Sequence, residues 1–349
     1  MAAINKTSSP IGGVTQLKTV PKGQGLWADA LRRLARNKAA VVGAIILLLN
    51  VIMAIFAPII APKSYTDQDL TQNNSAPLWI TQIFPSMIPK GDVGGYVTIN
   101  NDYTLGTDNL GRDLLSRIIY GSRISLEVAI VGTIVSIALG LLIGLLAGYG
   151  SSRVDNILMR IVDIMYAFPT FLLIILLMAF FRTSFGGNHE PGSLTYIMGQ
   201  IDSAMGGMFF IFLGIGLTSW MQMARLVRGQ VLSQREREYV EAARALGDTT
   251  PSILLRHILP NILGPLIVAE TLTIPTYISY EAFLSFIGLG VNPPTPSWGG
   301  MISEGSRVIS TYPYQALFPA LALFLVMFAF NFLGDGLRDA LDPRMRGQG

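Results

Sequence analysis

Six apolar runs, near residues 39–60, 125–149, 157–181, 208–224, 262–287 and 316–334, constrain this chain more than any other feature. A helix needs roughly 20 apolar residues to cross a bilayer core, and each run has about that length. With 51% apolar and only 13% charged residues, and a mean hydropathy of +0.49, the 349-residue chain is too apolar for a soluble domain of its size. The reading is an all-α polytopic membrane protein with six transmembrane helices. The first run follows a polar, basic leader far longer than the n-region of a signal peptide, which predicts a retained span.

Charge sets the orientation. Basic residues precede the first run (Lys18, Lys22, Arg32, Arg33, Arg36, Lys38) and follow the second (Arg153, Arg160). They recur after the fourth (Arg225, Arg228, Arg235, Arg237, Arg244, Arg256) and the sixth (Arg338, Arg344, Arg346). The positive-inside rule makes these segments and both termini cytoplasmic. The loops 62–123, 182–206 and 288–315 then face outward. A net charge of +3, sorted by loop and not gathered in a patch, argues against a nucleic-acid partner. The chain has no cysteine, and its two histidines, His189 and His257, are far apart, so neither a metal site nor Ser-His chemistry has the residues it needs. The division expected is a leader 1–38, a first helix 39–61, an outer segment 62–123, a five-helix core 124–336 with a cytoplasmic loop at 233–261, and a tail 337–349.

Within the spans, Gly132, Ser136, Gly140, Gly144 and Gly148 recur every fourth residue and form a small-residue face for close helix approach. Spacing leaves open whether the neighbour is a partner subunit or this chain. Glu127 and Asp163 lie near span ends and read as interfacial, and Asn331 adds a polar group to the sixth run. Glu270 and Glu281 lie deeper, with Pro275 between them. An acid at that depth faces a bundle interior or a water-filled path, so a pathway or partner-contact role and a structural buried pair both stay open.

The loop after the fourth run reads "EYVEAARALGDTTPSILLRHILPN". Ser233 and Glu236 have capping-box spacing and predict a helix start, which Gly247 would end. Thr250 and Pro251 fit the start of a second helix, and Pro260 would stop it, giving a short helix-turn-helix. Tyr239, Ala242, Ala243 and Leu246 make a low-relief strip beside Glu238, Glu241 and Arg244. Such a face suits either a groove on another protein or a lipid surface. In the outer segment, Asp108 with Arg112 and Asp113 with Arg117 stand four apart, which predicts paired charges on a helix begun by Thr107 or Asp108, with Leu110, Leu114 and Ile118 on one face. These acids lack the ligand pattern of a Ca²⁺ loop. The prolines of "NPPTPSW" predict a stiff outer loop.

Glu241-Ala242-Ala243, then Gly247 and Leu259-Pro260, resembles the "EAA" loop of ABC-importer permeases, with His257 where an aliphatic residue is frequent. "LGTDNLGRDLLSRIIYGSRISL" (105–126), "EAFLSFIGLGVNPPTPSWGGMI" (281–302) and "NFLGDGLRDALDPR" (331–344) resemble the second permease subunit of the oligopeptide/dipeptide ABC importers. The likeness runs from about residue 26 to 346, and the stretches 62–103 and 182–206 are longer than the family pattern. The resemblance implies a type I ABC importer permease fold and a bacterial inner or plasma membrane location. Expected partners are a second homologous permease, two cytosolic ATPase subunits, an extracellular or periplasmic substrate-binding protein and membrane lipid. It also implies that the loop docks on an ATPase and that the cargo is peptide, with oligosaccharides or nickel complexes as the other cargoes of such relatives. The chain has no G-x4-G-K-[ST], no H-E-x-x-H and no G-x-S-x-G, so no catalytic residue is assigned and ATP and Mg are expected on the partner ATPases. A proton-coupled carrier using Glu270 and Glu281 is the reading from another class.

Overall fold

The computed structural model describes residues 26–185 and 190–341. Lys18, Lys22, His189, Arg344 and Arg346, with most of the expected leader and tail, lie outside the described residues. Two helices open the chain, α1 (Leu26–Arg36) and α2 (Lys38–Ile55), with Asn37 capping α2 by accepting from Ala40 N at 3.2 Å. A single turn, α3 (Ala57–Ile60), leads outward. The outer segment contains α4 (Leu78–Ile83), and then come α5 (Leu114–Tyr149), α6 (Ser152–Tyr166), α7 (Thr170–Phe185), α8 (Leu194–Ala204) and α9 (Met208–Gln234). The loop after α9 holds α10 (Glu238–Ala245) and α11 (Thr250–Ser252). The chain closes with α12 (Leu259–Phe286), α13 (Trp298–Ser306) and α14 (Tyr314–Leu341).

Five helical stretches are long and apolar enough to span a bilayer: α2, α5, α9, Thr250–Phe286 and α14. The sixth expected span, near 157–181, is not one helix: α6 and α7 meet at 83°, and only as a bent pair do they make a sixth crossing. The cause is local. Pro169 has no N–H to donate and pushes Phe168 out of helical conformation, so the helix stops at Tyr166 and restarts at Thr170. In contrast, Pro265 and Pro275 sit inside α12 and Pro319 inside α14 without breaking them. Neighbouring helices and hydroxyls can serve freed backbone groups in a membrane bundle.

The small-residue face of α5 packs inside this chain. α5 and α9 form the most extensive helix pair. A Cβ added at Gly140 would stand 2.4 Å from Met223 Cγ, one at Gly144 2.7 Å from the Ala224 backbone oxygen, and one at Gly148 2.7 Å from Val231 Cβ. Higher on the same face, a Cβ at Gly132 would meet Tyr277 of α12 at 2.7 Å. At 36 residues, α5 is about 54 Å long, more than a bilayer core requires, so it also reaches into both aqueous ends.

Residues 61–113 cap the outer end of the bundle. Buried Ala76, Ile80, Met87 and Val97 join Leu114, Trp298, Met301 and Tyr314 in one apolar cluster. No strand forms among the described residues; isolated bridges such as Ala76 with Ile99 hold the cap. The cap is tied to α14 by Gln315 Nε2, which donates to Asn74 Oδ1 at 2.8 Å, and by Tyr314 OH, which donates to Thr107 O at 2.7 Å.

Because the Ala224 carbonyl is backbone and cannot swing away, Gly144→Leu will overpack the α5–α9 seam and cost about 1–3 kcal/mol or more. The lipid-side change Ile134→Ala, at an exposed residue of the same helix, will cost far less. Thermal unfolding of the detergent-solubilised protein checks the contrast: equal melting temperatures for the two variants would contradict this packing.

Candidate functional site

The loop between α9 and α12 is the first candidate. α9 does not stop before the loop but continues to Gln234, so Ser233 is a helical residue and not the expected cap. The short helix starts instead at Glu238, after Arg237, with no side-chain cap. Its end is as expected: Gly247 takes a φ of +88°, Gly247 N donates to Arg244 O at 3.1 Å and Asp248 N to Ala243 O at 3.1 Å, a Schellman closure. α11 follows Asp248 and starts one residue earlier than expected, with Thr249 and not Thr250 at the cap position. Pro260 does not stop it. A wide, π-type turn over Ile253–Ile258 carries the helix straight into α12, and Pro260 sits in that helix's first turn, where a missing N–H costs little. The expected helix-turn-helix is therefore one short helix followed by the N-terminal extension of a span.

Two faces divide α10. Val240 and Ala243 are buried against Val227 and Val231 of α9 and Ile253, Ile258 and Ile262, with Leu259 half-buried beside them. Ala243 thus belongs to the inner side and not to an exposed strip. Glu238, Glu241, Ala242 and Gly247 are exposed, and Leu246, 88% exposed, stands out as an apolar side chain without cover. Polar ties hold the pose: Arg244 Nη2 donates to Tyr149 OH at 3.3 Å, and His257 Nε2 lies 2.9 Å from Asp248 Oδ2. Tyr239 OH donates to Gln234 Oε1 at 2.8 Å, and partial burial pushes that phenol above its usual pKa.

The outer motif is built otherwise than its spacing suggests. Asp113 is the cap of α5, accepting from Ser116 N at 2.7 Å and Ser116 Oγ at 2.6 Å, so it is spent on the helix and does not pair with Arg117. Residues Thr107 to Asp113 form a tight loop closed by an isolated bridge, and Leu110 precedes the helix. In that loop a Cβ on Gly111, at a φ of +73°, would lie 1.8 Å from Asp69 O, so only glycine fits. Asp108 instead receives both arginines: Arg112 Nε at 2.6 Å and Arg117 Nη1. Glu304 of α13 completes the set, accepting from Arg112 Nη2 at 3.0 Å and Arg117 Nη1 at 2.9 Å. Two acids and two arginines make a neutral, mostly buried quartet that latches α13 to the start of α5. No sequence spacing points to Glu304.

The intramembrane acids are separate sites and not one pair. Glu270, 4% exposed, accepts from Ser136 Oγ of α5 at 3.0 Å and from Tyr277 OH at 3.0 Å, beside a void of about 10 Å³. Glu281, 0% exposed, accepts from Ser285 Oγ at 2.6 Å. Asp163 pairs with Arg225 at 2.5 Å on an exposed surface, Glu127 is exposed, and Asn331 donates to Met327 O in its own helix at 3.0 Å.

An all-helical bundle of this kind, with a docked helix at one end and a cap at the other, defines a multi-pass membrane protein. The chain belongs to the family of binding-protein-dependent transport system inner membrane components, whose model matches residues 140–347. A second model, the N-terminal TM domain of oligopeptide transport permease C, matches residues 25–77. The oligopeptide transport system permease protein OppC of Bacillus subtilis (strain 168) is 38% identical over 94% of this chain and 93% of its own length. That of Escherichia coli (strain K12) is 39% identical over 93% of each. The dipeptide transport system permease protein DppC of Bacillus subtilis (strain 168) is 39% identical over 91% of this chain and 86% of its own. A solved structure of inward-facing conformations of the MetNI methionine ABC transporter matches with a TM-score of 0.51 at 19% identity, covering 66% of this chain and 98% of that one, and so shares the fold.

Breaking the quartet from one side strands a buried charge. Arg117→Met will cost about 3–5 kcal/mol. Limited proteolysis of the membrane-embedded protein checks it: the outer cap should become cleavable in Arg117→Met, and a cap as resistant as the parent's would remove the latch.

Proposed function

We propose that this chain is one of two permease subunits of an ATP-driven importer of peptides. The observation that carries the reading is the cytoplasmic helix α10: its inner side is locked to α9 and the base of α12, and its outer side offers Leu246, Ala242 and Glu241 to a partner. A permease needs such a handle because this sequence has no P-loop to hold nucleotide. Two cytosolic ATPase subunits bind ATP and Mg and close on it, and the handle transmits that closure. Since α11, the wide turn and α12 run as one stretch from Thr250 to Phe286, a displacement of the loop is delivered along a span into the membrane. The chain itself contributes no catalytic group.

The other partners follow from the same reading: a second, homologous permease completes the pathway, and an extracytoplasmic binding protein delivers cargo to the outer face. Both termini are cytoplasmic, as the basic residues beside the spans require. Peptide is the cargo favoured, because relatives matched over nine-tenths of the chain are permeases of oligopeptide and dipeptide systems. A pull-down of the tagged chain in mild detergent, with mass spectrometry of what accompanies it, tests the assembly. Two P-loop ATPases, a second permease and a binding protein carrying peptide are expected. A folded chain that comes down alone would favour the proton-coupled carrier, and an oligosaccharide or nickel complex on the binding protein would replace the cargo.

The handle makes its own prediction. Proline cannot adopt the positive φ of Gly247, and Glu241→Lys reverses charge on the outward face. Both variants should insert at parental abundance yet lose ATP-driven uptake by about tenfold or more, the size of an ordinary coupling free energy. Parental uptake in both would remove the handle.

A further inference from the structure

A cavity of about 560 Å³ opens at the outer mouth of the bundle, between the outer third of α5, the α8–α9 turn and the loop before α13. It lies at the end opposite α10. Its volume is that of a small-molecule site. Tyr65, Tyr120, Arg123 and Glu127 line one part of it, and Met205 and Thr295 another.

The charged pair is arranged unusually. Arg123 and Glu127 are four apart on α5, the spacing at which opposite charges on a helix meet, yet they form no ion pair; none of the ion pairs among the described residues includes Glu127. Arg123 is turned aside and braced: its Nε donates to Ala54 O at 2.6 Å and its Nη2 to Ile55 O at 3.4 Å, and neither bond uses Nη1. Its guanidinium carbon stands 5.4 Å from the centre of the Tyr120 ring, and that ring packs on Tyr65 at 4.4 Å between centroids. The cavity therefore offers a fixed cation, a free carboxylate and two aromatic faces. Lipid tails need none of these. A zwitterion with separated charges needs all of them: an acceptor for an ammonium group, a donor for a carboxylate and ring faces for the chain between.

We propose that this cavity is a subsite for the free termini of a peptide on its way into the membrane, with Glu127 receiving the α-ammonium group and Arg123 the carboxylate. The proposal rests on the peptide-importer reading. Glu127 is the specificity residue to change, because Arg123 also holds the end of α2 and Glu127 holds nothing.

The test uses the complete importer in proteoliposomes with its binding protein, and trialanine and N-acetyl-trialanine as cargo. For parent and Glu127→Gln, kcat/KM is measured for each peptide, and the ratio of ratios is formed. The binding protein's own preference is common to both and cancels. The ratio should fall about tenfold in Glu127→Gln, as expected for loss of one charge-assisted contact. A second readout omits the binding protein: a benzophenone-bearing tripeptide should crosslink at Met205 or Tyr65, and less in Glu127→Gln when its amine is free but equally when acetylated. If the parent imports no peptide under ATP, the importer reading fails and the subsite with it. If the parent imports trialanine while the ratio and the crosslinks are unchanged in Glu127→Gln, the subsite alone is overturned.

Discussion

The seam between α5 and α9 is the contact on which the rest of the molecule depends. Lipid is as apolar as leucine, so helices in a membrane gain little from hiding apolar side chains from it, and what holds them is close packing and hydrogen bonding. The glycines of α5 let Met223, Ala224, Val227 and Val231 of α9 approach its backbone directly. At the end that carries the loop, α6 and α10 are then attached to α9. Arg228 grips Asp155 at 2.5 Å and Arg225 grips Asp163, which pins the bent helix α6 against it. Val227 and Val231, having closed the seam on one side, form on the other the floor on which Val240 and Ala243 of α10 rest. A change in the seam therefore reaches the loop without passing through solvent.

The two ends of the bundle are held by different physics. At the outer end the joint is polar: the quartet of Asp108, Arg112, Arg117 and Glu304, the donation of Trp298 Nε1 to Ile118 O at 3.0 Å, and the ties of Tyr314 and Gln315 to Thr107. Such a joint is directional, and no member can leave without stranding another. At the inner end the seat of α10 on α9 is chiefly apolar, with only exposed polar ties from Arg244 to Tyr149 and from His257 to Asp248, and apolar surfaces slide at lower cost than buried charged pairs separate. The arrangement fits a molecule whose outer cap keeps its shape while its inner loop answers a partner.

Length and apolar density made five of the spans legible, because a bilayer leaves a sequence few alternatives, whereas the run near 157–181 is broken at Pro169 into α6 and α7. The period of four in Gly132 to Gly148 identified a packing face, although nothing in it named α9 as the neighbour. Gly247 was legible as well, since a helix end that needs positive φ favours glycine strongly. Other features depended on tertiary context. Ser233 has the spacing of a cap, but α9 is carried past it by the burial of Val227 and Val231. Pro260 has the look of a stop, but the wide turn before it supplies a first helical position. Asp113 and Arg117 have the spacing of a pair, but a helix start competes for the carboxylate and wins it with two hydrogen bonds from Ser116. Glu304, nearly two hundred residues away in chain order, left no local signal.

Glu270 decides which helices can move together. Both of its oxygens are engaged, one by Ser136 of α5 and one by Tyr277 of its own helix, and Ser136 Oγ also lies 3.3 Å from Ser219 O of α9. The three spans therefore meet at one polar point inside an apolar interior. To slide α12 past α5 would break the Ser136–Glu270 bond and leave a carboxylate oxygen and a hydroxyl without that partner where no bulk water can replace it, at a cost of about 1–3 kcal/mol. The cheaper motion keeps α5, α9 and α12 as one body. Relative movement then falls to the surfaces that surround this body, where contacts are chiefly apolar: α14 against α12, and α7, whose Phe171 meets Tyr280 and Phe283 edge-on. Because α10 is fixed to α9 and α12, a force on the loop acts on the whole three-helix body and not on a single span.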